Sequence, residues 1–405
     1  MTRRQFLTAT EAAQALGITR ATLYAYTSRG QLRSEPVPGE PRERRYHRDD
    51  VERLQDRKAL RRDPSRAAAK GLRWGEPVLE SAITLVHGGT FYYRGRDAVA
   101  LAERATLEDV AALLWDAPSD AAAALFAQPG PLGQRELKRI AGLTSEVRTA
   151  LQVVLPIAGA LDAAALDLRP VAVRATGARI VRLFASVIAG RPTAGPIDRT
   201  LQEAWTPRRP AVAAVIRTAL ILCADHELNI SAFAARCAAS AGASPYDVVS
   251  AALATLKGFR HGGAASRVLS LVRRAGMPRS AREAVVERLR AGEPIPAFGH
   301  PLYPDGDPRA AVLIRLARVS GNDSAWHPFR NLLYAGSQLL GDAPNLDFGL
   351  AAIARTYRLP DDAPFILFAL GRTIGWIAHA MEEYATGRLI RPRARYTGRM
   401  PGAPA

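Results

Sequence analysis

The chain has 405 residues and a formal net charge of +17, and 48% of its residues are hydrophobic. That apolar content supports large buried cores and excludes a disordered chain, while the length suggests two or three domains. No run of about 18 uninterrupted apolar residues occurs, which argues against a membrane-spanning helix. Two cysteines, Cys223 and Cys237, argue against a disulfide scaffold, and the first residues lack the apolar core of a secretory signal. We therefore expect a cytoplasmic protein that has no membrane partner.

Positive charge is concentrated near the N terminus. Residues 1–75 hold 17 Lys and Arg against 9 Asp and Glu, a net charge of +8, while the much longer remainder carries +9. A short basic segment joined to a less charged body is typical of proteins that contact nucleic acid.

The N-terminal segment has the pattern of two short capped helices. The spacing of Thr8 and Glu11 predicts a capping box, and Gly17 ends the helix that follows. Thr19 is placed to cap a second helix, from Arg20 to about Arg29. Such a pair forms a helix-turn-helix, whose second helix enters the major groove of DNA. The side chains predicted to reach DNA are Arg20, Thr22, Tyr24 and Arg29, with Arg44 and Arg45 on the second arm of a predicted wing.

Residues 1–60 resemble the winged helix-turn-helix domains of mercury-resistance-regulator-type activators and phage excisionases. The likeness lies in LTATEAA at 7–13, GITRATLY at 17–24, and RY, DV and L within 45–54. This resemblance implies DNA binding. The alternative is a helical appendage that packs on the body and touches no DNA.

The body has a helical pattern throughout most of its length. Residues 61–77 are basic and rich in alanine, which indicates a linker, and residues 81–95 form a short stretch compatible with β-structure. Capping boxes at 106–109 and 280–283, and the Ser-Pro pair at 244–245, predict three helix starts. Because strands and helices do not alternate, we predict an all-α body.

Three of the seven histidines lie in polar or glycine-flanked settings. His226 stands between Asp and Glu, His261 begins the sequence HGGA, and His300 lies in FGHPLY, which is followed by DPRA. Glycine beside a histidine allows the backbone and the imidazole to approach a ligand closely. A structural hydrogen-bonding role is the alternative for each histidine taken singly. Together with the C-terminal arginines, the three favour a binding site.

Residues 78–398 resemble the citrate synthase family, including the 2-methylcitrate synthases, and the likeness is weakest between 117 and 210. The resemblance implies a large helical domain at 78–261 and 351–398, with a small helical domain inserted at 262–350 and a tail at 399–405. The matching stretches are SAIT (81–84), YYRGR (92–96), LLW (113–115), HGGA (261–264), FGH (298–300), DPRA (307–310), NLD (345–347), GRTIGWIAH (371–379), and RPR with YTG (391–398).

The resemblance implies condensation of acetyl-CoA with oxaloacetate to citrate and CoA through an enol or enolate. Asp347 matches the base that removes a proton beside the thioester carbonyl, and His261 matches the donor to the thioester oxygen. His300 matches the residue that polarises the ketone of oxaloacetate. For Asp347 the alternative is a helix cap after Asn345.

Oxaloacetate carries two carboxylates, which arginines bind through paired hydrogen bonds. By the resemblance Arg309, Arg372 and Arg391 are the carboxylate-binding arginines, and His226 is a further substrate-binding residue. In the family the last arginine comes from the neighbouring subunit, which implies a homodimer with shared sites. The alternatives are a structural ion pair for Arg372 and a solvated tail for Arg391.

The segment around Ile295, Phe298 and Gly299 matches the one that holds the adenine of CoA. The CoA thioester is a substrate, and the resemblance implies no separate cofactor and no metal. A zinc site built from Cys223, His226 and Cys237 would lack a fourth ligand in apolar surroundings.

Several positions depart from the family pattern. Cys223 stands where a histidine is frequent, Phe259 and Arg260 replace Pro-Leu, Ala265 replaces Asn, and Ala297 replaces Gly. These changes bear on the rate and on the choice of acyl group more than on the reaction class. Two alternatives stay open. One is a 2-methylcitrate synthase that uses propionyl-CoA, since one methylene changes discrimination by only about 1–3 kcal/mol. The other is a DNA-binding regulator whose body senses a metabolite.

Overall fold

The structure is a computed structural model that describes residues 6–37, 40–51, 54, 79–274, 278–394, 396–399 and 401. The chain divides into two compact units, Met1–Glu80 and Ser81–Ala405. The predicted linker at 61–77 lies outside the described residues. The separation of a small domain at 262–350 stays a prediction.

The first unit combines a helix pair with a three-stranded antiparallel sheet in the order β1-β3-β2. A helical segment at 48–51 follows the last strand. The hairpin of β2 and β3 is the predicted wing, and its tip at 38–39 lies outside the described residues. The elements are β1 (Phe6–Thr8), α1 (Ala9–Leu16), α2 (Arg20–Ser28), β2 (Ser34–Val37) and β3 (Glu40–His47).

The local signals read in this unit are confirmed. The Thr8 hydroxyl accepts the N–H of Glu11 at 3.2 Å, and the Glu11 carboxylate accepts the N–H of Thr8 at 2.8 Å. Gly17 ends α1 with a φ of 58°, a left-handed conformation that favours glycine. Thr19 caps α2 by accepting the N–H of Thr22 at 3.2 Å. The small core beneath both helices consists of Leu7, Ala12, Ala13, Leu16, Leu23, Leu32, Tyr46 and Val51.

The second unit is mostly helical and includes one small antiparallel sheet, in the order β4-β5-β6, at the predicted β-compatible stretch. Its strands are β4 (Thr84–His87), β5 (Thr90–Tyr93) and β6 (Arg96–Asp97). Its α-helices are α3 (Ala98–Arg104), α4 (Leu107–Leu114), α5 (Ala121–Leu125), α6 (Gln134–Leu143), α7 (Val147–Leu161), α8 (Pro170–Ala189), α9 (Ile197–Trp205), α10 (Val212–Cys223), α11 (Ile230–Ser240), α12 (Pro245–Leu256), α13 (Ala264–Arg274), α14 (Pro278–Arg290), α15 (Pro308–Arg318), α16 (Asp323–Leu340), α17 (Leu346–Thr356) and α18 (Ala363–Thr386). A 3-10 turn, Ala163–Leu166, precedes α8.

Two of the three helix starts predicted in the body are confirmed. Thr106 caps α4 with a capping box to Asp109, and Ser244 caps α12, which has Pro245 at its first position. The third prediction is wrong, because α14 begins at Pro278 and Ser280 therefore lies inside the helix. Proline is favoured in the first turn of a helix, where its missing N–H has no partner to lose.

The long helix α18 forms the centre of the body. Among the described helices it alone is long and apolar enough to cross a membrane, but 89% of its apolar window is buried inside the protein, which is typical of a core helix. A Cβ on Gly371 would lie 2.4 Å from the Leu220 carbonyl oxygen, and one on Gly375 would lie 2.4 Å from that of Ala224. Only glycine allows this approach, which brings Arg372 beside the end of α10.

Candidate active site

His226 lies in the turn that follows α10 and is 6% exposed. Its Nε2 lies 2.8 Å from the Tyr303 hydroxyl, and its ring meets the edge of the His300 ring with centroids 5.2 Å apart. Burial lowers the pKa of His226 well below its ordinary value, and the positive charges of Arg309 and Arg372 lower it further. His226 is therefore neutral at neutral pH.

His261 occupies a tight turn between α12 and α13. The N–H of Gly262 donates to the Leu256 carbonyl at 2.9 Å, and a Cβ at this glycine would lie 2.4 Å from the same oxygen. His261 Nε2 lies 2.9 Å from the Ser231 hydroxyl, which also accepts the indole N–H of Trp376 at 3.2 Å. Burial, with a smaller contribution from the Arg372 charge, lowers the pKa of His261 to about 4. The ring is neutral, and Nε2 is already engaged.

His300 follows a backbone segment that is attached to the start of α17. Gly299 donates its N–H to the Ala343 carbonyl at 2.8 Å, and Asn345 donates to the Ala297 carbonyl at 2.9 Å. His300 Nδ1 accepts the N–H of Leu302 at 3.2 Å, so the proton of the neutral ring lies on Nε2. Burial and the nearby Arg309 charge lower the pKa of His300 to about 4. His300 is thus a neutral hydrogen-bond donor.

Arg309 is buried and paired with a carboxylate at the start of α15. Its Nε and Nη2 donate to the two carboxylate oxygens of Asp307 at 2.9 and 2.8 Å. Asp307 also accepts the N–H of Leu346 at 2.9 Å, which joins this pair to the helix that carries Asp347. Burial opposes ionisation of Asp307, but the Arg309 guanidinium outweighs it and holds the pKa of Asp307 below its ordinary value.

Arg372 lies on α18 and is 1% exposed. Its Nε donates to the Cys223 carbonyl at 2.8 Å, and its guanidinium carbon lies 4.6 Å from the centroid of the Phe368 ring. Among the described carboxylates none lies within ion-pair distance, so the alternative of a structural ion pair for Arg372 is wrong. Burial lowers the pKa of Arg372, while the charge of Asp225 opposes that shift. A buried guanidinium without a paired carboxylate is suited to an anionic ligand.

Asp347 stands in the first turn of α17 and is half-buried. The cap of this helix is Asn345, whose side chain accepts the Asp347 N–H at 3.1 Å, so the alternative of Asp347 as the cap is wrong. Burial raises the pKa of Asp347 to about 6, against the opposing charges of Arg309 and Arg267. A carboxylate that titrates near 6 is an effective base near neutral pH.

The residues predicted to hold CoA lie in the segment that leads to His300, whereas Arg391, predicted to serve a second subunit, lies after α18. Ile295 is buried in the core, and Phe298 packs edge-on against Phe348 with ring centroids 5.6 Å apart. The Gly299 carbonyl accepts the Asn345 side-chain N–H at 3.1 Å. Arg391 is exposed in the segment after α18, and no described residue forms a hydrogen bond or ion pair with its side chain. Their roles stay predictions.

Of the side chains predicted to reach DNA, Arg20, Tyr24, Arg29 and Arg44 are exposed, and Thr22 and Arg45 are partly buried. Tyr24 is 51% exposed, and Arg20 and Arg29 are also exposed, while the Thr22 hydroxyl lies 2.9 Å from that of Thr19.

On the wing, Arg44 donates to the Ser34 hydroxyl at 2.8 Å. Arg45 donates to Glu35 at 3.1 Å and lies 4.1 Å from the centroid of the Phe6 ring. Neighbouring residues of a strand point to opposite faces, so Arg44 and Arg45 lie on opposite faces of the wing, and their contacts with DNA stay predictions.

Three residues that sequence reasoning did not assign complete the site. Tyr303 contacts His226, Ser231 contacts His261, and Asp307 pairs with Arg309. Tyr303 and Asp307 stand inside the quoted motif and could have been noticed there. Ser231 had no signal, because it reaches His261 across 30 residues of chain.

A groove of about 860 Å³ lies elsewhere, on α15 and α16, and its lining includes none of the predicted site residues. In the described part of the chain, no group of three or more His, Cys, Asp and Glu side chains is placed to hold a metal ion. Burial raises the pKa of the Cys223 thiol to about 12.

Comparisons with known proteins give matches for both units of the chain. The family profile described as citrate synthase, C-terminal domain, matches residues 71–393, and one described as a helix-turn-helix domain matches residues 6–59. Citrate synthase 2 of Bacillus subtilis is 30% identical over 82% of this chain and 96% of its own. A 2-methylcitrate synthase of Mycobacterium tuberculosis is 31% identical over 76% of this chain and 84% of its own. The solved ternary complex of Thermoplasma acidophilum citrate synthase with carboxymethyl coenzyme A and oxaloacetate has the same fold, with a TM-score of 0.71, 23% identity, and coverage of 83% and 98%.

Proposed function

The chain belongs to the citrate synthase family, and from this premise we propose that it condenses acetyl-CoA with oxaloacetate to form citrate and CoA. The proposal is supported by three neutral imidazoles and a carboxylate with a raised pKa, each of which lies near enough to buried Arg309 or Arg372 for that charge to shift its pKa.

Asp347 is the proposed base, and it removes a proton from the methyl group of acetyl-CoA. Its pKa of about 6 supports this role, because the group is ionised at neutral pH and still basic enough to take the proton. His261 donates a hydrogen bond to the thioester oxygen as negative charge develops there. That donation requires the single proton of the neutral ring to lie on Nδ1, with Nε2 accepting from the Ser231 hydroxyl 2.9 Å away.

His300 is proposed to donate from Nε2 to the ketone oxygen of oxaloacetate. This bond makes the ketone carbon more electrophilic. The methylene carbon of the enol attacks it, and a new carbon–carbon bond forms. Hydrolysis of the resulting citryl thioester then releases CoA. No metal or separate cofactor enters these steps.

The two carboxylates of oxaloacetate are proposed to bind Arg309 and Arg372, with His226 beside them and Arg391 supplied by a second copy of the chain. The exposure of Arg391 within one chain is compatible with that role. A homodimer is supported by large apolar side chains left exposed near the end of α7 and the start of α8. Leu161, Leu166 and Val171 are 66%, 79% and 74% exposed. We propose that the protein is cytoplasmic. We also propose that CoA is held along Ile295–Gly299.

A 2-methylcitrate synthase that uses propionyl-CoA is the second candidate. Relatives of both kinds match this chain at 30% and 31% identity, so sequence similarity does not separate the two acyl groups.

The N-terminal unit is proposed to bind DNA through α2 and the wing. Its helix-turn-helix profile match and the exposed Arg20, Tyr24 and Arg29 support that proposal. If the body proves inactive, the alternative is a DNA-binding regulator whose body senses oxaloacetate.

A thiol-release assay tests the enzyme. Purified protein with oxaloacetate should release CoA from acetyl-CoA, from propionyl-CoA or from both, and the ratio of the two kcat/KM values identifies the substrate. Asp347→Ala should lose turnover while oxaloacetate binding, measured by calorimetry, persists. Oxaloacetate binding without release from either thioester would favour the sensor.

A gel-shift series at increasing salt tests the DNA role. The full chain should bind duplex DNA with an affinity that falls steeply as salt rises. A chain lacking residues 1–75 should lose that binding and keep its turnover. DNA binding that survives the deletion would contradict the assignment to the N-terminal unit.

A further inference from the structure

Tyr303 stands among three of the residues assigned to substrate. It is 2% exposed, and its ring centroid lies 5.0 Å from that of His300 and 5.5 Å from that of His226. The guanidinium carbon of Arg309 lies 5.6 Å from the same ring centroid. A substitution of Tyr303 therefore affects the surroundings of His226, His300 and Arg309 together.

The hydroxyl of Tyr303 lies 2.8 Å from Nε2 of His226. The His226 ring is neutral, for the reasons given above, and so carries a single proton. A phenol hydroxyl is a stronger hydrogen-bond donor than acceptor, so in this contact the Tyr303 hydroxyl donates and Nε2 accepts. The single proton of the neutral ring then lies on Nδ1.

We propose that Tyr303 is a positioning residue whose hydroxyl holds the His226 imidazole in one orientation and one tautomer for binding of the dicarboxylate. Rotation of the ring would break the hydrogen bond between Nε2 and Tyr303, so the hydroxyl holds the ring in place and leaves the Nδ1 proton to donate to the dicarboxylate. Without the hydroxyl, Nε2 is a buried acceptor without its partner, and the ring can exchange between tautomers. The identity of the dicarboxylate rests on the proposed function, whereas the tautomer of His226 does not.

The competing explanation is that Tyr303 only fills space in the core. Tyr303→Phe separates the two roles, because it keeps the ring and removes one hydroxyl. A matched control is Tyr246→Phe. Tyr246 is also fully buried, and its hydroxyl donates to Asp162 at 2.9 Å, among residues that take no part in the site.

The first test is the imidazole nitrogen NMR spectrum of the full chain, labelled with ¹⁵N-histidine. His226 is assigned by the signals that disappear in His226→Gln. The proton should lie on Nδ1 in the wild type and in Tyr246→Phe, and Tyr303→Phe should show a mixture of tautomers. A proton on Nε2 in the wild type, or an unchanged single tautomer in Tyr303→Phe, overturns the proposal. The wild-type spectrum decides even if Tyr303→Phe fails to fold.

The second test is calorimetric titration of the same proteins with oxaloacetate, without any thioester. Tyr303→Phe should weaken binding about tenfold, the size expected for loss of one hydrogen bond to a buried partner. Tyr246→Phe should lower Tm and leave Kd unchanged. A lower Tm with unchanged Kd in Tyr303→Phe shows a merely structural role and overturns the proposal. If the wild type does not bind oxaloacetate, the proposed function fails, and the NMR spectrum still decides the role of Tyr303.

Discussion

The two compact units hold their arginines in opposite environments. In the first unit Arg20 and Arg29 lie exposed on or beside α2, whereas in the body Arg309 and Arg372 are 3% and 1% exposed. Exposed charges stay hydrated and are screened by salt, while a buried charge is stabilised only by specific partners. The first arrangement suits a long polyanion bound at the surface, and the second suits a small anion enclosed by protein.

The two buried arginines also differ from each other. Arg309 has a carboxylate partner in Asp307, whereas Arg372 has a backbone carbonyl. Removal of Arg309 should therefore damage the fold, and removal of Arg372 should mainly damage anion binding.

Arg372→Met should weaken oxaloacetate binding about 100-fold or more, because a buried guanidinium bonded to a carboxylate contributes strongly to affinity. The Tm should stay the same or rise, since a buried charge without a paired carboxylate is removed. Calorimetric titration and thermal unfolding measure the two effects. Wild-type affinity in this variant would remove Arg372 from the site.

Arg309→Met should lower the free energy of unfolding by about 3 kcal/mol at pH 7, because Asp307 keeps a buried charge without its partner. The pKa of Asp307 lies below its ordinary value in the folded state, so this pair stabilises the fold at neutral pH and less so as pH falls. The difference between wild type and variant should therefore shrink in acid. Denaturant unfolding at pH 7 and pH 4 measures it, and Arg309→Met with Asp307→Asn should recover stability.

The rate of condensation should fall about tenfold per pH unit below pH 6, as the Asp347 base becomes protonated. His261 and His300 stay neutral in that range, since their pKa values are about 4. Arg267→Gln removes a positive charge that favours the ionised carboxylate, so the acidic limb of the kcat profile should move to higher pH.

The matched control for this profile is Arg273→Gln. Arg273 lies on the same helix, and its charge is paired at the surface with Asp361 at 3.2 Å. This control should leave the profile in place. A shift to lower pH in Arg267→Gln would contradict the electrostatic explanation, which also includes Arg309 and Asp307 as charges that face Asp347.

Arg20→Ala with Tyr24→Ala should weaken DNA binding about tenfold and leave Tm and turnover unchanged, because both side chains are exposed. Fluorescence anisotropy with labelled duplex measures the affinity. Arg208→Ala, at an exposed position of the body, is the control. Equal affinity in the double variant and the control would exclude α2 from the DNA surface.

Ala297→Gly should raise the free energy of unfolding by about 0.5 kcal/mol. Ala297 has a φ of 65°, a left-handed conformation that costs a residue with a Cβ about 1–2 kcal/mol. Part of that gain is offset by the greater freedom of glycine in the unfolded chain. Ala311→Gly, at an exposed helical position, should instead lose about 1 kcal/mol. A loss in both variants would show that Ala297 is not strained.

The N-terminal unit could be predicted from sequence almost element by element. Its capping box at Thr8, its turn at Gly17 and its second cap at Thr19 each depend on residues within one helical turn. The same holds for Thr106 and Ser244 in the body. The capping box predicted at 280–283 is wrong because a nearby proline starts the helix earlier. Two local signals competed, and the sequence pattern did not show which of them begins the helix.

For the site too, local features could be predicted from the sequence and long-range contacts could not. The family, the helical class of the body and the chemical groups available could be predicted, since those follow from residue types and their order in the motifs. The partner of each charge and the contact between Tyr303 and His226 became known only from the folded structure. Pairing and desolvation depend on groups that are distant in the chain, as between Cys223 and Arg372, 149 residues apart. No local sequence pattern predicts a contact between residues so far apart in the chain. This contact forms only when the helices pack around α18.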